Sequence, residues 1–268
     1  MALIMTLRLT LPNGTDLAYE STGEGPLAVC AHGLLLSRQA EADLGLFGWA
    51  AVEALPGRRF VRYDARGHGE SGDRPHADDY TYPRFADDLL ALMDHLDGGR
   101  PVVGMGDSLG CATVLTAAVR APERFDRLVL MIPPTAWETR PAQAELYRGL
   151  ADVVEKEGVE GFAAALAGAP VPESLVGAPG YPPRSLGAHP GTLPALLRGA
   201  AASDLPAREE IARLAQPALV LTWSGDPGHP VSTAEQLAEL LPDARLHVSH
   251  DPADIATWDE RIAEFLRG

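Results

Sequence analysis

Apolar and polar residues alternate along "TLRLTLPNGTDLAYEST" on both sides of Asn13-Gly14. Period-two alternation marks half-buried strands, and an Asn-Gly pair favours the tight turn between two of them. Residues 6–11 and 15–20 are therefore expected to pair antiparallel. Later stretches are short, continuous apolar runs instead: "PLAVCAHG" (26–33), "RFVRYD" at the head of 59–73, "DRLVLMIPP" (126–134) and "PALVLTWSGD" (217–226). Runs of that kind suit strands covered on both faces. Between Tyr82 and Leu96 the period lengthens, and Phe85, Leu89, Leu92, Met93 and Leu96 share one helical face. "RPVVGMGDSLGCATVLTAAVRAPERF" reads as strand, sharp turn and helix, "ARLHVSH" (244–250) as a last strand, and "IATWDERIAEFLRG" as a closing helix.

Strands that alternate with helices imply an α/β fold with a mostly parallel, doubly wound sheet. The pattern changes between Met131 and Pro217. Residues 141–168 look helical, 169–194 are crowded with proline and glycine, and 195–215 look helical again. The expected division is a core of 1–133 and 213–268 with 134–212 inserted as a helical cap over one end of the sheet. No internal repeat stands out.

Composition narrows the partners. The 268 residues suffice for one large core, and 46% hydrophobic against 22% charged residues excludes a disordered chain. A net charge of −15 would repel phosphates, so neither nucleic acid nor an anionic membrane surface is an expected partner. Cys30 and Cys111 lie in apolar surroundings without the spacing of a metal site, as buried thiols of a reducing cytoplasm would. "MALIMTLRLT" lacks the charge pattern and cleavage site of a leader, and no apolar run approaches the roughly 20 residues of a membrane helix. The expectation is a soluble, cytoplasmic monomer or homodimer acting on a small molecule.

The candidate chemistry centres on "GDSLG" (106–110). A nucleophile on a strained strand-to-helix turn needs small residues two places to either side, where backbones crowd together. Gly106 and Gly110 flank Ser108 in this way, whereas Asp107 would be flanked by the bulky Met105 and Leu109. Ser108 is the candidate nucleophile and Asp107 fills the variable position.

With that motif in place, the chain resembles the α/β-hydrolase superfamily, in its capped serine-hydrolase branch. The resemblance is carried by "AHGLLLS" (31–37), "YDARGHGESG" (63–72), "GDSLGCA" (106–112), "PERFDRLVLMIPP" (122–134) and "LTWSGDPGHP" (221–230), in that order. It implies that the backbone N–H groups of Leu34 and Leu109 form an oxyanion hole. It also implies that His32, Asp64, Arg66 and Ser71 brace loops and that His68 is not a base. Asp226, in "WSGD", matches the family's acid position, while "MIPPTAWE" offers no carboxylate before Glu138.

The chain order of these hydrolases places the histidine after the acid. Only His229, His247 and His250 follow Asp226. The family usually carries the base beyond the final strand, commonly in a Gly-His dipeptide before a longer loop, and that loop is shortened here. His250, at the end of the last strand, is the expected base. His229, in "GDPGHP", is the alternative, and a chain with no working histidine remains a third possibility. His247 is expected to pack along the sheet, and His76, His95 and His189 to be ordinary surface or cap residues.

The resemblance implies hydrolysis of an ester, lactone or thioester through an acyl-enzyme, with no metal or organic cofactor. Leu34, Leu35, Trp49, Met105, Leu109 and Trp137, with the small apolar residues of "FAAALAGAPVPESL", suggest a pocket for a fairly hydrophobic substrate. Related sites also serve carbon–carbon bond hydrolysis and cofactor-free peroxidation. An incomplete triad would instead leave a binding module or a cyclase-like enzyme.

Overall fold

The computed structural model describes residues 5–46, 48–183 and 185–268. The opening hairpin forms as its alternation requires: β1 (Leu7–Thr10) pairs antiparallel with β2 (Asp16–Thr22). Gly14, at φ +78°, closes the turn by donating its N–H to Leu11 O at 2.8 Å, and Asn13 Oδ1 accepts from Thr15 N at 2.9 Å. β2 then pairs antiparallel with β4 (Arg59–Tyr63).

The remaining strands run parallel: β3 (Leu27–Ala31), β5 (Val102–Asp107), β6 (Phe125–Met131), β7 (Ala218–Trp223) and β8 (Ala244–Ser249). The strand order is β1-β2-β4-β3-β5-β6-β7-β8. Parallel strands need crossovers, and ten helices are described. They are α1 (Arg38–Leu44), α2 (Ala50–Glu53), α3 (Tyr82–Asp97), α4 (Leu109–Arg120), α5 (Arg140–Ala167), α6 (Leu193–Ala201), α7 (Arg208–Ile211), α8 (Val231–Leu240), α9 (Pro252–Ile255) and α10 (Trp258–Arg267).

Alternation within each strand sends neighbours to opposite faces, so the sheet has two apolar layers. Val29, Val61, Leu128 and Val220 meet α3, α4 and α8 through Leu89, Leu92, Val114 and Leu237. Cys30, Val103, Met105, Val129 and Leu221 meet α1, α2 and α10 through Leu44, Val52, Trp258 and Ile262. Both cysteines are buried and free. No helix among the described residues is long and apolar enough to cross a membrane.

One expected helical run is broken, and one starts later than expected. The run at 195–215 divides into α6 and α7, because Pro206 lacks an N–H and disfavours helical backbone at the residue before it. The closing helix begins at Trp258 and not at Ile255, because the residues before it form the separate short α9, which Asp251 caps with Oδ1 accepting from Asp254 N at 2.9 Å.

Between β6 and β7, α5 packs on α6. The buried Arg140 ties this segment together. Its Nε donates to Ser203 O at 2.7 Å, its Nη2 donates to Ala200 O, and its guanidinium lies over the rings of Tyr82 and Tyr147. Gly187 N donates to Leu35 O at 2.8 Å and His189 N to Gly67 O at 2.8 Å, so the proline- and glycine-rich middle lies on the loops after β3 and β4.

Candidate active site

The parallel strands all end at one edge, and the loops after β3, β5, β6 and β7 meet there. Ser108 sits between β5 and α4 at φ +51°, ψ −108°, a backbone conformation that side chains rarely adopt. The turn is tight enough that a Cβ on Gly110 would overlap the Ala31 carbonyl, and one on Gly106 would overlap the Gly110 backbone. Neither clash can be relieved by a side-chain rotation. Gly110→Ala is therefore expected to destabilise the fold by about 3 kcal/mol or more, read as a lowered midpoint in denaturant. A midpoint equal to wild type would contradict the tight turn.

Ser108 Oγ lies 2.8 Å from His229 Nε2, and His229 Nδ1 lies 2.8 Å from Asp226 Oδ2. The side chains of His229 and Asp226 keep 22% and 15% of their exposure, so the chain of contacts borders solvent without being immersed in it. Local sequence explains the acid–histidine pairing. Gly225 takes φ +80°, Asp226 O accepts from His229 N at 3.2 Å, and Pro230 leads straight into α8. That turn folds the imidazole back over the carboxylate three residues earlier. The loop is pinned from outside by Thr135 N, which donates to Gly228 O at 3.1 Å.

Asp226 has two further donors that sequence reasoning did not anticipate: Trp223 Nε1 at 3.0 Å and Gly228 N at 2.9 Å, the indole meeting the oxygen that also faces His229. Burial by itself would raise the Asp226 carboxyl. The charge and hydrogen bond of His229, with the Trp223 and Gly228 donors, outweigh it and hold the group well below the usual carboxylate range. A carboxylate so held stays ionised and fixes its histidine with Nδ1–H toward the acid and Nε2 free to accept the serine proton. The arrangement can lower the barrier to serine attack on an acyl carbon.

His250, the expected base, is not in this chain of contacts. Its ring is exposed, with Nδ1 3.1 Å from Ser224 Oγ. Strand β8 passes directly through Ser249 into α9, leaving no loop to carry His250 to Ser108. The dipeptide Gly228-His229 was the signal that pointed to the other histidine. His247 Nε2 binds the Asp254 carboxylate at 2.9 Å, and Glu138 pairs with Arg208 at 2.5 Å.

The loop after β3 supplies the second wall. Gly33 passes so near the elbow that an added Cβ would stand 3.6 Å from Ser108 Cβ, and Leu34 is the next residue along this loop. Leu109 opens α4, so its N–H has no carbonyl one turn earlier to receive it. His32 braces this loop, with Nδ1 2.8 Å from Gly33 O and Nε2 accepting from Ala65 N at 2.9 Å. His68 Nε2 lies 2.5 Å from Leu34 O, and burial, with His32 beside it, pushes its imidazole down to about 3. Asp64 accepts from Arg38 Nη2 at 3.0 Å, Arg66 forks onto Asp88, and Ser71 Oγ donates to Asp64 O at 2.5 Å.

The residues expected to line a pocket lie in different parts of the fold. Leu34 and Leu35 lie on the loop beside Ser108, with Leu35 half-buried. Met105 does not line a pocket: it is wholly buried on the sheet face that meets α2 and α10, and Trp49 packs in the same layer against Phe60. Alternation sends Met105 to the far side of the sheet. Trp137 lies under the Arg208 guanidinium, 4.2 Å from its ring centre, with Nε1 donating to Pro206 O at 3.1 Å.

Residues 26–160 match the α/β hydrolase fold family, and the chain belongs to it. It is 30% identical over 191 residues to a putative carbamate hydrolase of Pseudomonas savastanoi, an alignment covering 69% of this chain and 71% of that protein. It is 31% identical over 166 residues to a putative 2-succinyl-6-hydroxy-2,4-cyclohexadiene-1-carboxylate synthase of Bacillus subtilis, covering 59% of this chain. The chain spans 57% of that relative's length and 32% of a mouse sn-1-specific diacylglycerol lipase, less than two thirds in each case. Among solved structures, a thermophilic esterase from Thermogutta terrifontis superposes with a TM-score of 0.78 at 25% identity, covering 98% of this chain and 97% of that one.

Proposed function

We propose that this protein is a serine hydrolase that cleaves an ester, lactone or thioester of a small, fairly hydrophobic substrate. The observation that carries the reading is the unbroken sequence of contacts from Ser108 Oγ through His229 to Asp226, each 2.8 Å long. His229 takes the serine proton as Oγ attacks, and Asp226 stabilises the imidazolium. The Leu34 and Leu109 amides receive the developing oxyanion. His229 then returns the proton to the leaving group, and water releases the acyl-enzyme by the same route. A likeness to an esterase over nearly the whole chain supports this chemistry, and the connected triad weighs against a binding module. Residues 134–212 act as the cap that selects substrates.

Rapid mixing with a short-chain aryl ester tests the reading. The expected result is a burst of one phenol per chain followed by slower turnover, with both lost in Ser108→Ala. Turnover that survives the loss of the Ser108 hydroxyl would refute it.

A further inference from the structure

A second pair of acids lies directly beneath the elbow and takes no part in the chemistry above. Asp107 and Glu41 are both buried, at 0% and 3% exposure, their carboxyls lie close enough to act on each other, and both Asp107 oxygens and Glu41 Oε1 are shut off from solvent with no hydrogen-bond donor among the described residues. Asp107 comes from the end of β5 and Glu41 from α1, so two separate elements bring them together. We propose that Asp107 and Glu41 hold one proton between them and act as positioning residues, with protonated Asp107 as the uncharged surface on which the Gly33–Leu34 loop rests beside Ser108. The functional half of this inference rests on the serine-hydrolase reading.

Two carboxylates in contact and out of water cannot both ionise, because neither solvent nor a second cation offsets their repulsion. The surroundings decide which one keeps the proton. Burial raises the Glu41 carboxyl and Asp64 adds to that, but Arg62 on β4, with Nη1 3.6 Å from Glu41 Oε2, favours its charge. Asp107 faces Cys30 on β3 and Cys111 on α4, two thiols that burial keeps protonated, and no cation pairs with it among the described residues. Burial, then the Glu41 charge, push the Asp107 carboxyl well above the usual carboxylate range. Asp107 is thus the neutral acid and donates its O–H to Glu41.

Placement gives the pair its role. A Cβ on Gly33 would stand 2.8 Å from Asp107 Oδ2, so the carboxyl fills the space against which the loop backbone lies. A negative charge there would oppose the negative oxygen that develops at the Leu34 and Leu109 amides. Keeping Asp107 protonated leaves the field of those amides intact.

The pH dependence of kcat and of thermal stability, measured on wild type, Asp107→Asn, Asp107→Ala and Glu41→Gln, tests the pair. Wild-type kcat should fall at alkaline pH as the shared proton leaves. Asp107→Asn, whose amide can donate in place of the O–H, should keep kcat within about threefold at neutral pH and lose the alkaline fall. Asp107→Ala, which removes the floor, should lose about tenfold in kcat with little change in KM.

The stability arm needs no activity. Folded Asp107 keeps a proton that an unfolded aspartate releases near about pH 3.9, so wild-type stability declines as pH rises above that value. The Tm advantage of Asp107→Asn should therefore widen from pH 5 to pH 8. Should that variant not fold, Glu41→Gln decides, since removing the neighbouring charge should move the alkaline fall to lower pH. A Tm difference independent of pH, or an alkaline fall unchanged in both variants, overturns the proposal. Fluorophosphonate labelling of the same samples separates the two readings: an unlabelled Ser108 would sink the serine-hydrolase reading, while the Tm arm still decides the shared proton.

Discussion

His229→Ala should lower kcat on a short-chain aryl ester by about 10⁴-fold or more, while His250→Ala should leave it within about threefold. The first change removes the only ring that meets Ser108 Oγ, at 2.8 Å, among the described residues. The second removes an exposed ring held by Ser224 Oγ, which contacts neither Ser108 nor Asp226. In the proposed mechanism serine and histidine act in one proton transfer, so Ser108→Ala combined with His229→Ala should be no slower than either alone. Steady-state rates of the purified variants check this. A crippled His250→Ala beside an active His229→Ala would place the base after β8 instead.

Asp226→Asn should cost about 10⁴-fold in kcat with the fold retained. The replacement has the same size, but its amide can present N–H toward His229 Nδ1 and turn the wrong nitrogen toward Ser108. The Trp223 and Gly228 donors, placed to hold a carboxylate, would lose part of their acceptor. The depressed Asp226 carboxyl also fixes a sign for stability. Its contribution is fully present above about pH 3.9, where an unfolded aspartate ionises, and is lost as pH falls toward the lower folded value. The stability gap between wild type and Asp226→Asn should therefore narrow on acidification. A gap that widens in acid would show that the carboxylate is not stabilised by its neighbours.

The strands and the elbow were legible because their signals are local. Period-two alternation around Asn13-Gly14 marks the hairpin, and the flanking glycines single out Ser108 over Asp107. The base was not legible from the strand pattern, since its position depends on how one turn folds. Gly225 and the Asp226–His229 backbone contact bring the imidazole onto the acid's own loop, where chain order alone could not choose between His229 and His250. Met105 illustrates a different gap. It lies three residues before Ser108 in sequence, yet strand alternation buries it on the opposite face, so nearness in sequence misled where period two would have corrected it. The Asp107–Glu41 contact joins residues on different elements, and nothing in a single sequence reports it. The helix break at Pro206 lies between these cases, since proline is a local marker but its effect depends on where the run packs.

The most direct measurement is the rate of fluorophosphonate labelling, with the modified peptide identified by mass spectrometry, in wild type, His229→Ala and His250→Ala. Only a serine whose proton has an acceptor reacts quickly. Modification at Ser108, at an equal rate in wild type and His250→Ala and far more slowly in His229→Ala, is the predicted result. An unmodified Ser108 in wild type, or equal labelling of wild type and His229→Ala, would contradict a Ser108–His229–Asp226 triad.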